Sequence, residues 1–204
     1  IYMKKIRINL FIICLLGVLA EVCAQESTWR EMPYFLKGYE KQYKKSPKEA
    51  ALSWFKDARF GLFVHWGPAS LYGQGEWVMY NNRIPIKEYE QKAREFKGDK
   101  FNAQDYVNLA LDANMKYITF VIKHHDGFAL WDSKASDYNS VKYPSGRDFL
   151  KELSIACKKA GLGLFIYYSV GLDWHHPYYI PNTMYDPARP HYTKTPEEYK
   201  YSKP

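Results

Sequence analysis

The chain has 204 residues and a formal net charge of +7, from 29 basic and 22 acidic side chains. The excess is mild and spread out, and its densest stretch, Lys37 to Lys48, is diluted by Glu40 and Glu49, so it reads as a solvated surface rather than a nucleic-acid footprint. Six Trp, 19 Tyr and 11 Phe are enough for an ordinary core, and exposed aromatic faces also suit the C–H face of a sugar ring.

Met3-Lys4-Lys5-Ile6-Arg7 is a basic start, Leu10 to Ala20 is apolar, and Val22-Cys23-Ala24 sets small residues where signal peptidase cuts. Residues 1–24 therefore read as a signal peptide with a mature start at Gln25, and the expected location is periplasmic or extracellular. A lipoprotein would need Cys23 as the lipidated residue, which Glu21 and Val22 suit poorly. The apolar stretch is too short for a permanent membrane span. Cleavage removes three basic residues and one acid, taking the charge from +7 to +5. It also removes Cys14 and Cys23, so Cys157 remains alone and no internal disulfide is expected.

Residues 25–46 lack a clear period and read as a lead-in segment. Ser46-Pro47-Lys48-Glu49 then predicts a helix start, with Ser as N-cap, Pro first and Glu three residues after the cap, running to about Ala58. Phe60 to Val64 is a first strand, followed by a long Gly-containing loop. Asn102 to Ala113 places Ala103, Tyr106, Val107, Ala110 and Leu111 on one helical face. Tyr117 to Ile122 is a second strand. Arg147 to Ala160 is a second long helix, with Phe149, Leu150, Leu153, Ala156 and Ala160 inward and Gly161 as its stop. Gly163 to Ile166 is a third strand.

Near-continuous apolar strands alternating with helices predict an α/β fold with parallel strands covered on both faces. Three strands are too few for a closed (β/α)8 barrel. The last readable signal, Thr195-Pro196-Glu197-Glu198, starts a helix close to the final residue. Residues 47–204 accordingly read as the first βα units of a longer barrel.

Each strand ends in a polar, aromatic burst: His65-Trp66-Gly67, then Lys123-His124-His125-Asp126-Gly127, then Tyr167-Tyr168-Ser169 with Asp173-Trp174-His175-His176 beyond. These bursts hold five of the six histidines. Parallel strands direct their carboxyl ends at one pocket, so the bursts mark the candidate site. Adjacent His124 and His125 cannot share a face while a strand stays regular; one can face the barrel axis while the other turns at the strand end. Imidazoles and carboxylates both donate to and accept from hydroxyls at fixed geometry, and Glu76-Trp77 offers a carboxylate beside an aromatic face. A catalytic metal is a rival use of the same residue types, but no helix carries His at i and i+4. We therefore expect no metal.

Trp54-Phe55, Ala58 to Gly67, Glu76-Trp77, Lys123 to Phe128 with Trp131, Arg147-Asp148 and Tyr167-Tyr168-Ser169, in this order and spacing, together resemble the N-terminal catalytic domain of α-L-fucosidases of glycoside hydrolase family 29. The resemblance covers roughly residues 47–178. It implies a (β/α)8-like barrel and retaining hydrolysis of terminal α-L-fucose through an Asp nucleophile and a Glu general acid/base. By position, His65, Glu76, Trp77, His124, His125 and Tyr167 resemble the family's fucose-binding residues, with Tyr167 favoured over Tyr168 by ungapped spacing from Arg147. The implied partner is a fucosylated oligosaccharide or glycoconjugate, and no cofactor is implied.

The family's Trp-x-Asp strand end does not occur before Pro204, so the nucleophile and the acid/base are both expected beyond it. A retaining glycosidase needs two carboxyl groups about 5–5.5 Å apart, and Asp126 and Asp173 do not match the family's pattern for either. The fragment by itself is therefore expected to be inactive. Two other functions fit the same residues: a non-catalytic fucose-binding protein, or a metal-dependent barrel hydrolase.

Overall fold

The structure, a computed structural model, describes residues 31–175. The expected signal peptide and the helix start at Thr195 lie outside these residues. The chain divides into two compact units at Trp54 and Phe55, inside a helix.

The first unit holds a 3-10 turn at Tyr34–Leu36, helix α1 at Glu40–Lys45 and most of helix α2 at Pro47–Ala58. The start of α2 follows the local rule, because the Ser46 hydroxyl accepts the Glu49 amide at 3.3 Å. Gln42 Nε2 donates to Ser53 Oγ at 2.9 Å and fastens α1 to α2. The lead-in is thus more regular than the sequence suggests. The six residues of α1 are nearly all polar and too short to display a period.

In the second unit, β1 (Leu62–Val64), β2 (Tyr117–Lys123) and β3 (Gly163–Tyr168) form one parallel sheet in chain order. Leu62, Ile118 and Leu164 share a row, as do Val64, Phe120 and Ile166. The segment after β1, read as a loop, holds a 3-10 helix at Pro68–Tyr72, helix α3 at Val78–Asn81 and helix α4 at Ile86–Ala93. Helix α5 (Ala103–Asp112) precedes β2, and helix α6 (Phe149–Ala160) precedes β3.

The core forms where α5 and α6 cover the sheet. Val107, Ala110, Ile118, Phe120, Phe149, Leu153 and Cys157 are all fully buried in one apolar cluster. Leu111, expected inward on α5, is 47% exposed, whereas Cys157 joins the core instead. Burial in apolar surroundings pushes the Cys157 thiol up to about 11, so it behaves as a small hydrophobe. Asn102 caps α5, Asp148 caps α6, and Gly161 ends α6 in the left-handed conformation at φ 72°. Arg147 ties the start of α6 to the segment leading into α5: it chelates Glu152 and donates to the Gly98 and Phe101 carbonyls at 2.9 and 3.0 Å.

The strands are not covered on both faces. Phe63 is 59% exposed, and Ile166 on the β3 edge is 56% exposed. Among the described residues, no helix is long and apolar enough to cross a membrane.

Candidate functional site

The site sits at the carboxyl ends of the three strands, where the apolar rows give way to rings. His65 follows β1 directly, and its ring centroid lies 4.4 Å from that of His124. The His124 ring lies 3.9 Å from His125 and 6.0 Å from Tyr167 at the end of β3. Trp77, leading into α3, stands edge-on to His125 at 5.1 Å and to His124 at 6.5 Å. Segments distant along the chain thus meet in one connected cluster. Tyr168 points elsewhere: its ring lies 4.8 Å from Lys123 Nζ and 6.0 Å from Trp131.

His124 and His125 lie beyond the regular part of β2. Strand β2 ends at Lys123, and its register with β3 slips between Val121 and Lys123. The alternation rule therefore no longer governs residues 124 and 125. A turn closed by Gly127 N–H to the His124 carbonyl at 3.0 Å then sets the two rings side by side.

A cavity of about 190 Å³ opens against part of this cluster. Its walls include His65, Glu76, His124 and Asp126, with Gly67 and Gly75 keeping the approach open. His125, Trp77 and Tyr167 do not wall it and join the site through their ring contacts. Trp66 lines its other side, and its indole packs between Phe96, Phe101 and Phe149 at 4.7, 5.0 and 4.9 Å, which makes it a core residue.

Burial governs the charge of the imidazoles. It drives His124 down to about 3, helped by repulsion from His125 and His65. It takes His125 down to about 4, with His65 and Lys123 adding to the fall and the nearby Glu76 and Asp173 carboxylates opposing it. His65 is lowered by burial and raised by Glu76. At neutral pH the site therefore offers uncharged rings, each with one N–H and one lone pair. Such a set suits a polyol and gives an anion no countercharge. Among the described residues, the buried Nδ1 of His124 has no hydrogen-bond partner, a deficit that typically costs about 1–3 kcal/mol.

A support layer lies beneath the rings, and most of it is invisible in the sequence. Asp126 accepts the Tyr89 hydroxyl at 2.7 Å and the Phe128 amide at 3.2 Å. Burial raises the pKa of Asp126, while these two bonds pull it down. Burial, followed by the neighbouring Asp126 charge, pushes the Tyr89 phenol far above its usual range. The Asp126 carboxylate therefore holds the turn in place. Lys123 pairs with Asp173 at 2.6 Å and donates to the Ser169 carbonyl at 3.2 Å. The Trp174 amide donates to the His125 carbonyl at 2.6 Å. Gly127 is required between these layers: at φ +80°, a Cβ would meet Asp173 Oδ1 at 2.7 Å and His175 Cβ at 2.8 Å. His175, although part of the third burst, is held away from the cluster by Glu90 at 2.6 Å and by stacking on Tyr138 at 3.9 Å. His176 lies outside the described residues. Among the described residues, no three His, Cys, Asp or Glu side chains are grouped to hold a metal ion.

The family model for alpha-L-fucosidase matches residues 28–203. Tissue alpha-L-fucosidase of Macaca fascicularis is 31% identical over 183 residues, covering 81% of this chain and 38% of the relative. Plasma alpha-L-fucosidase of Rattus norvegicus is 34% identical over 146 residues, covering 63% and 32%. Among solved structures, alpha-L-fucosidase isoenzyme 1 from Paenibacillus thiaminolyticus superposes with a TM-score of 0.67 at 35% identity, covering 75% of this chain and 35% of that one. Alpha-L-fucosidase AlfC from Lactobacillus casei, in complex with its α-L-fucose product, gives 0.59 at 40% identity over 61% and 42%. The chain thus spans about a third of the length of the curated relatives it matches.

Proposed function

Since the chain belongs to the α-L-fucosidase family, we propose that the protein containing it is an exo-acting, retaining α-L-fucosidase that releases terminal α-L-fucose from glycoconjugates outside the cytoplasm. The described strands supply the first part of a (β/α)8 barrel, and later strands cover the exposed Phe63 face. His65, Glu76, Trp77, His124, His125 and Tyr167 bind the sugar. The nucleophile and the general acid/base come from sequence after Pro204, and the two carboxylates work by double displacement through a covalent glycosyl-enzyme.

One observation carries this reading: imidazoles from two strand ends form a single uncharged cluster, in ring contact with Trp77 and Tyr167. Uncharged donors and acceptors bind hydroxyls with little desolvation penalty, and an aromatic edge shapes the pocket around a deoxy-sugar's apolar side. Contacts that tighten as charge develops on the ring lower the barrier selectively.

The test uses the full-length protein and 4-nitrophenyl α-L-fucopyranoside. His124→Ala is expected to lower kcat/KM roughly tenfold or more, equivalent to about 1.4 kcal/mol of transition-state binding. Near-wild-type kinetics would remove His124 from the site. Residues 25–204 expressed alone are expected to show no turnover, and measurable hydrolysis by them would place the carboxylates within this chain.

A further inference from the structure

We infer that Ser169 is a positioning residue that locks His125 in its Nδ1–H tautomer and leaves Nε2 as an obligate hydrogen-bond acceptor. Ser169 Oγ lies 2.6 Å from His125 Nδ1 and 2.8 Å from the Leu172 carbonyl oxygen. A hydroxyl has one proton, and a carbonyl oxygen can only accept. The Ser169 proton therefore goes to Leu172, and His125 must supply the proton of the other bond from Nδ1. The reverse arrangement would leave two oxygens facing each other at 2.8 Å with no proton between them.

The serine cannot swing away to relax this constraint. It is 4% exposed. Its amide donates to the Lys123 carbonyl at 3.0 Å, and its carbonyl accepts Lys123 Nζ at 3.2 Å. The His125 ring is boxed by Trp77 at 5.1 Å and Trp174 at 5.4 Å, which opposes a ring flip. Burial keeps the imidazolium from forming at neutral pH, so one nitrogen stays bare. Among the described residues, the ring makes its hydrogen bond at Nδ1, so Nε2 keeps its lone pair. A histidine free in water prefers the opposite tautomer, so the serine sets the polarity of this part of the site.

The consequence for the ligand rests on the fucosidase reading. Whichever fucose hydroxyl meets His125 must donate, so replacing that hydroxyl by fluorine or a methyl ether removes the contact although an acceptor atom remains.

The test is a two-bond 15N–1H correlation spectrum of the full-length protein with 15N-labelled histidine, recorded at neutral pH. The His125 signal, assigned through His125→Gln, is expected to show protonated Nδ1 and bare Nε2. Ser169→Ala is expected to move it toward Nε2–H and to raise KM about fivefold, the worth of one neutral hydrogen bond. Ser169→Thr keeps the hydroxyl and is expected to restore both. An Nε2–H signal in the unsubstituted protein, or a tautomer indifferent to Ser169→Ala, would overturn the assignment. If Ser169→Ala does not fold, the unsubstituted spectrum decides alone. If the tautomer is as stated but L-fucose leaves the Nε2 resonance unmoved, the serine's role stands and the sugar reading fails.

Discussion

The two ends of the same strands obey different rules. Along β2, Ile118, Phe120 and Ile122 disappear beneath α5 and α6, where shape alone decides stability. Just past its carboxyl end, His124 keeps a buried, unpartnered nitrogen, and its pKa is driven down to about 3. The core region minimises its free energy, whereas the strand ends hold costs that a bound ligand can offset. Unrelieved cost of this kind, placed above an apolar core, separates a binding site from a scaffold.

The contrast breaks most visibly in the core. Phe149→Ala removes a fully buried ring and is expected to cost about 3–5 kcal/mol in denaturant unfolding. A loss below about 1 kcal/mol would mean that α6 is not packed as described. Next in size is the layer beneath the site. Asp173→Ala strands the Lys123 ammonium, which is 8% exposed, and is expected to cost about 3 kcal/mol. Gly127→Ala imposes a strained φ and a clash, and is expected to cost about 1–3 kcal/mol. A fully stable Gly127→Ala protein would show that the 171–175 segment does not lie over the turn.

The effect that is smallest near neutral pH, and grows only in acid, is the most specific to the site. His124 and His125 hold folded pKa values of about 3 and 4, below the ordinary 6.5. Between these limits the unfolded chain binds protons that the folded one does not, so stability falls as pH drops below about 6.5 and is fully present above it. Replacing both with Gln is expected to flatten this dependence while changing stability little at about pH 8. A profile unchanged by the double substitution would place the acid sensitivity elsewhere.

What the sequence reveals follows the same division. The start of α2 at Ser46-Pro47 and the stop of α6 at Gly161 are legible because caps are local chemistry. Helices α3 and α4 are not, since Val78–Asn81 is a single turn and Ile86–Ala93 is largely polar. The rings at the strand ends can be named from their position after apolar runs. Their supports cannot, because Tyr89 and Asp126 are 37 residues apart and His125 and Ser169 are 44 apart. The side-by-side placement of His124 and His125 is hidden by the register slip after Val121, which an alternation rule cannot foresee. His175 shares its burst with real site candidates, yet Glu90 holds it, a partner 85 residues away.

The most direct test of the central claim is a crystal structure of the full-length protein with L-fucose bound. The expected result is one sugar at the strand ends, with ring hydroxyls within hydrogen-bond distance of His124 and His125 and its apolar side against Trp77. Fucose bound elsewhere, with these rings untouched, would contradict it.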